Sequence, residues 1–82
     1  MEKEVSFEGV IVGFEPAPGY EDRKAIYIQG SYGNSSGGFY VIVPDQLHSK
    51  LMSMGVGRMI SGKGKLLSEW PAIIELTEVE NY

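Results

Sequence analysis

The order of strand-like and helix-like stretches constrains this chain most. Three extended stretches come first, then one short helix, then a strand built on Gly62-Lys63-Gly64-Lys65, then a closing strand. A helix this short, placed between the third and fourth strands, cannot span a crossover between parallel neighbours, which takes a dozen or more residues. An antiparallel barrel with the helix closing one end accommodates the order. The predicted fold is therefore all-β, a five-stranded Greek-key barrel with one helix between strands 3 and 4.

Local signals set the helix at Asp45–Met54. Asp45 offers a carboxylate to the free N–H groups at the start, and Pro44 before it has no N–H to lose. Leu47, Leu51 and Met54 recur on one face while Ser49, Lys50 and Ser53 take the other. Gly55 ends the helix, because glycine adopts a left-handed C-terminal conformation without steric penalty.

The strands follow from alternation. The first runs from about Val5 to Phe14, with Gly9 allowing a sharp bend where both faces become apolar. Residues 15–22 contain two prolines and a glycine and form a loop. Lys24–Gln29 is the second strand, with Ile26 and Ile28 inward and Ala25, Tyr27 and Gln29 outward. Gly30–Gly38 is rich in turn formers and reads as a long, mobile hairpin loop. Phe39–Val43 is apolar on both faces, so its outer face needs a cover. Arg58–Leu66 and Ala72–Val79 complete the set, joined by Ser68-Glu69-Trp70-Pro71. The predicted core is Val5, Phe7, Ile11, Ile26, Ile28, Val41, Ile60, Leu66, Ile74 and Leu76, closed at one end by Leu47 and Leu51.

With 82 residues, 43% of them hydrophobic, the chain forms one domain over residues 1–82. A chain of that size buries only about 60% of its unfolded surface, which favours one small closed core. There is no cysteine, hence no disulfide or thiolate metal site, and an intracellular setting is expected. No apolar run approaches the ~20 residues of a membrane span, and Met1-Glu2-Lys3-Glu4 is too charged to open a signal peptide. These features predict a cytoplasmic protein without membrane contact.

Gly57-Arg58-Met59-Ile60 and Gly62-Lys63-Gly64-Lys65-Leu66, followed by Ile74-Glu75-Leu76 and Val79-Glu80, resemble the last two strands of nucleic-acid-binding OB-folds. Families of this kind are the anticodon-binding domains, the N-terminal domain of the exonuclease VII large subunit and the replication protein A group. The resemblance spans the chain in element order and is sharpest over residues 57–80. It implies an OB-fold that binds single-stranded DNA or RNA, though this barrel serves many functions.

Catalysis finds little support. His48 is the only histidine, and without a second histidine or a cysteine it specifies neither a metal site nor a base. Ser31, Ser35, Ser36 and Ser61 lack a base or oxyanion motif. The glycine-rich stretch carries no lysine and opens no helix, unlike a phosphate loop. The expectation is a protein that is not an enzyme and uses no cofactor.

Charge and aromatic placement favour binding. The net charge is −4, yet residues 23–65 carry six cations against Asp45, a net of +5, between two acidic ends. Fields act locally, since salt screens charges beyond about 8 Å. Tyr27 faces outward on strand 2, Phe39 and Tyr40 offer one ring to each face of strand 3, Tyr32 lies in the stretch between the two strands and Trp70 lies in the last turn. Such rings stack bases while cations follow the backbone. The candidate site is therefore Arg23, Lys24, Tyr27, Tyr32, Tyr40, Lys63, Lys65 and Trp70, with single-stranded nucleic acid as partner and little sequence preference. The plainer alternatives are cross-strand packing for Tyr27 and Tyr40, a lid on the core for Trp70, and solubilising charge for Lys63 and Lys65. The competing function is a protein-interaction module or homo-oligomer that uses an exposed sheet face.

Overall fold

Apolar side chains at Val5, Phe7 and Ile11, with Gly9 between them, give the first strand a buried and a solvated face. The computed structural model describes residues 3–82 as β1 (Lys3–Gly13), β2 (Ala25–Tyr32), β3 (Ser35–Ile42), α1 (Asp45–Met54), β4 (Met59–Glu69) and β5 (Ala72–Asn81). The strands close in the order β1-β2-β3-β5-β4, with β3 and β5 parallel and the other pairs antiparallel. This is the OB-like all-β class expected from the element order.

The barrel interior holds Val5, Phe7, Ile11, Ile26, Ile28, Phe39, Val41, Ile60 and Ile74, all buried. Leu51 from α1 seals one end, with Leu47, Leu66 and Leu76 packed at the margins. Complete burial of an Ile or Leu side chain contributes roughly 1.5–3 kcal/mol, so this interior is the main source of stability. No polar or charged residue among those described is buried.

β1 serves two neighbours, β2 and β4, and it can do so because two glycines face each other where it crosses β2. Gly9 pairs with Gly30, and a Cβ on Gly9 would fall 2.5 Å from the Gln29 carbonyl oxygen. Backbone approaches backbone there more closely than a side chain allows.

Three local expectations change. The Gly30–Gly38 stretch is no long loop: β2 runs through Tyr32, β3 starts at Ser35, and only Gly33 and Asn34 turn the chain, Gly33 with φ 58°. Gly30, Ser31 and Ser36 bring little apolar surface, but ladder pairing uses the backbone, and Tyr32 anchors the hairpin by packing its ring 4.9 Å from that of Phe39. At the helix, Pro44 is the N-cap, Asp45 is already helical, and no side-chain hydrogen bond caps the first turn. The helix still ends at Gly55, φ 87°, whose N–H donates to the Leu51 carbonyl.

The third change concerns the doubly apolar strand. Ile42 on β3 and Ile73 on β5 point away from the barrel interior, yet both are buried, together with Ala25 and Ala17. The loop between β1 and β2 folds back over them. Its tight geometry comes from the Tyr20 N–H donating to the Ala17 carbonyl and the Arg23 N–H donating to the Tyr20 carbonyl. Part of the outer sheet face is thereby covered by the chain itself.

Candidate nucleic-acid interface

Beyond the edge of that loop the outer face of β1, β2 and β3 remains open. Tyr27 and Tyr40 are direct cross-strand partners, and their partly exposed rings lie 4.8 Å apart between centroids, tilted by 56°. Gly38 gives the Tyr27 ring room to lie along the sheet: a Cβ at Gly38 would fall 1.9 Å from the Tyr27 hydroxyl oxygen. Gln29 pairs with both Val10 and Gly38 in the next row. Val10 in turn pairs with Met59 on β4. Val12 and Met59 are 49% and 58% exposed, so apolar side chains continue from the tyrosines toward β4.

The electrostatics at this face are mild. The Tyr40 hydroxyl is held above its ordinary pKa by loss of solvent, then by the Glu15 carboxylate and by Tyr27. It stays a neutral donor and acceptor at physiological pH.

Of the sequence-predicted residues, Tyr27 and Tyr40 come together as expected. Arg23 stands just before β2, but its guanidinium Nη1 donates to Glu75 Oε2 at 2.9 Å, so its charge is paired. Lys24 is exposed at the same end of β2, lining a cleft with Phe14, Glu15, Glu21 and His48. Lys63 and Lys65 do not join them. They sit on β4, two strands away from β2 and β3 in either direction around the barrel. Their cross-strand neighbours there are Ser6 and Glu78 for Lys63, and Glu4 and Glu75 for Lys65. Opposite charges across a sheet stabilise the pairing, which suits the plainer alternative for both lysines. The basic zone seen along the sequence is thus divided in space.

Tyr32 and Trp70 lie at the other end of β2. The Tyr32 ring leans on Phe39 in the core, while Trp70 is 92% exposed and so is no lid. Both line one open cavity of about 390 Å³, along with Lys3, Asn34, Leu66 and Glu69.

His48 makes an edge-on contact with Phe14, at 5.8 Å between centroids. Partial burial, and then Lys24, lower its pKa against a smaller opposing effect of Asp45. The described residues contain no group of three or more His, Cys, Asp or Glu side chains able to hold a metal ion, and no helix long and apolar enough to cross a membrane.

Sequence reasoning missed Gln29, Gly38, Val10, Val12 and Met59 as parts of the open face. The outward parity of Gln29 and Met59 was the available signal. Which rows adjoin the tyrosines depends on cross-strand register, which alternation within one strand does not set. Comparison of the chain with protein-family models, with curated proteins and with solved structures gives no match.

Proposed function

We propose that this chain is a non-enzymatic OB-type module that binds single-stranded DNA or RNA by stacking bases on Tyr27 and Tyr40. The observation that carries this reading is the tyrosine pair itself: two adjacent, partly exposed rings that are direct cross-strand partners on the outer face of β2 and β3. Aromatic platforms on such a face bind bases of any identity, each stacked ring contributing about 1–3 kcal/mol. Lys24, exposed at the start of β2, is the nearest of the expected phosphate partners, Arg23 being held by Glu75. With about one such contact, the logarithmic salt slope is about −0.7, the value per phosphate on a single strand.

Titration of a labelled oligonucleotide at low salt tests the reading. Tyr27→Ala is expected to weaken binding about tenfold or more, on the magnitude of one stacked ring. Lys63→Ala, on the far wall, leaves affinity within about twofold, since it loses no phosphate contact. Absence of binding, or equal affinity for wild type and Tyr27→Ala, refutes it.

The second reading, docking of another protein, is favoured by the exposed Val12 and Met59 beside the same face. Burial of such surface is insensitive to salt, and a second copy on the face makes the apparent mass depend on concentration. Sedimentation of the free chain separates the two.

A further inference from the structure

The barrel closes along a short seam. β5 meets β3 only at Tyr40, Val41 and Ile42, so the stretch Ser35–Phe39 pairs with β2 along one edge and with no strand along the other. Its backbone groups take part in none of the turn, loop or side-chain hydrogen bonds among the described residues. Native sheet edges are commonly blunted by a charge, a proline or a bulge. This one reads Ser35-Ser36-Gly37-Gly38, without charge or proline, and its register with β2 runs unbroken. Both serines are exposed.

The same edge opens onto the mouth of the barrel. The cavity of about 390 Å³ there has Asn34 and Ser35 on one side and Glu69 and Trp70 on the other, over an apolar floor of Val5, Tyr32 and Leu66. Gly33 puts no side chain over that floor; a Cβ on it would lie 3.5 Å from Val5 Cγ1. The charged lining residues are Lys3 and Glu69, opposite in sign, so the mouth suits an uncharged group. Trp70 is 92% exposed and makes no ring contact with the other described residues. It stands just before Ile73, where β5 begins to pair with β3, and so at the closed end of the free edge.

We propose that this edge binds an extended peptide segment of another protein, which adds a strand to β3 along Ser35–Phe39 and sets one apolar side chain into the mouth beside Trp70. In strand addition the main chain supplies affinity and a pocket for alternate side chains supplies specificity. Both parts are present here, a free backbone edge and a neutral, apolar-floored pocket alongside it. A sugar-phosphate backbone has no row of N–H donors to match such an edge, so a polypeptide is the fitting partner. The site is independent of the base-stacking reading, because the pairing uses the in-plane edge of β3 and not the outer surface that carries Tyr27 and Tyr40.

The test pans a phage-displayed library of random short peptides on the protein and then uses the synthetic peptide of the selected sequence. That peptide is expected to shift the NMR signals of the Ser35–Phe39 amides and of the Trp70 indole. Trp70→Ala, a change at an exposed position, is expected to weaken it about tenfold or more, as for an aromatic anchor buried on binding. Methylating the peptide's backbone nitrogens at alternate positions separates strand addition from capture of a side chain alone. One alternate set is expected to abolish binding and the other to leave it within about threefold, because only one edge of the added strand pairs with β3. No enriched peptide, shifts confined to other residues, or the same response to both methylated sets overturns the proposal.

Discussion

Gly30→Ala should be among the most damaging single-methyl additions this chain can receive. A Cβ at position 30 would lie 2.1 Å from the Glu8 carbonyl oxygen and 2.5 Å from the Gly9 Cα, both main-chain atoms. An ordinary contact starts near 3.4 Å, so β1 and β2 would have to part locally by about 1.3 Å. No rotamer change relieves this, since the colliding atoms belong to the strand. Overpacking alone costs about 1–3 kcal/mol. Stretching the adjoining β1–β2 ladder bonds adds about 1 kcal/mol for each one lost. Against these stands a gain of about 0.4–1 kcal/mol from the stiffer unfolded chain. The net is a destabilisation of about 2–4 kcal/mol, out of a total that for a domain of this size is about 4–12 kcal/mol. Gly38→Ala is the control: its Cβ meets the free end of the Tyr27 side chain, which can swing away, so its cost is within about 1 kcal/mol. Urea denaturation followed by circular dichroism measures both. A Gly30→Ala variant within about 1 kcal/mol of wild type would refute the claim that the Gly9–Gly30 crossing holds β1 against β2.

Ile74, fully buried on β5, is expected to cost about 2–5 kcal/mol when cut to alanine, read from the same denaturation curves; a cost under 1 kcal/mol would mean that its strand does not face the core. The β2–β3 hairpin is expected to give backbone order parameters near ~0.85 on both sides of Gly33 and Asn34, because Gly30–Tyr32 pairs with Ser35–Gly37; values below ~0.6 across those residues would contradict the observed register. The His48 ring should titrate below 6.5 in the folded protein, since burial and then Lys24 disfavour its charged form. The unfolded chain then binds the proton more readily, so His48 contributes stability above its unfolded pKa that is lost as pH falls through the folded value; a midpoint at or above 6.5 by NMR would contradict this.

The fold was legible because its signals are local. Alternation at Val5–Ile11 and Ile26–Ile28, the Leu47/Leu51 face and the Gly55 stop each lie within one element, and together they leave one arrangement of five strands and a helix. The cover over Ile42 and Ile73 was legible only as a need. The residue that meets it, Ala17, lies far away in a loop whose prolines announce a turn and not where it packs. The hairpin from Gly30 to Gly38 was hidden by composition, because glycine and serine pair through their backbones as well as any residue once Gly9 and Phe39 hold them in place.

For the candidate site, parity within the strands placed Tyr27 on the outer face, where the structure pairs it with Tyr40. Charge clustering along the chain did not carry over, since β4 places Lys63 and Lys65 on the wall away from β2 and β3, among Glu4, Glu75 and Glu78. Sequence distance stands in for spatial distance within a hairpin but not around a barrel.

Backbone and side-chain NMR shifts of the protein, followed while a short single-stranded oligonucleotide is added at low salt, test the central claim most directly. The base-stacking account predicts that perturbations concentrate on Val10, Val12, Tyr27, Gln29, Gly38 and Tyr40, with the rings of Tyr27 and Tyr40 shifted upfield by stacked bases. Perturbations confined to Lys63, Lys65 and their neighbours on β4 and β5, or none at all, would contradict it.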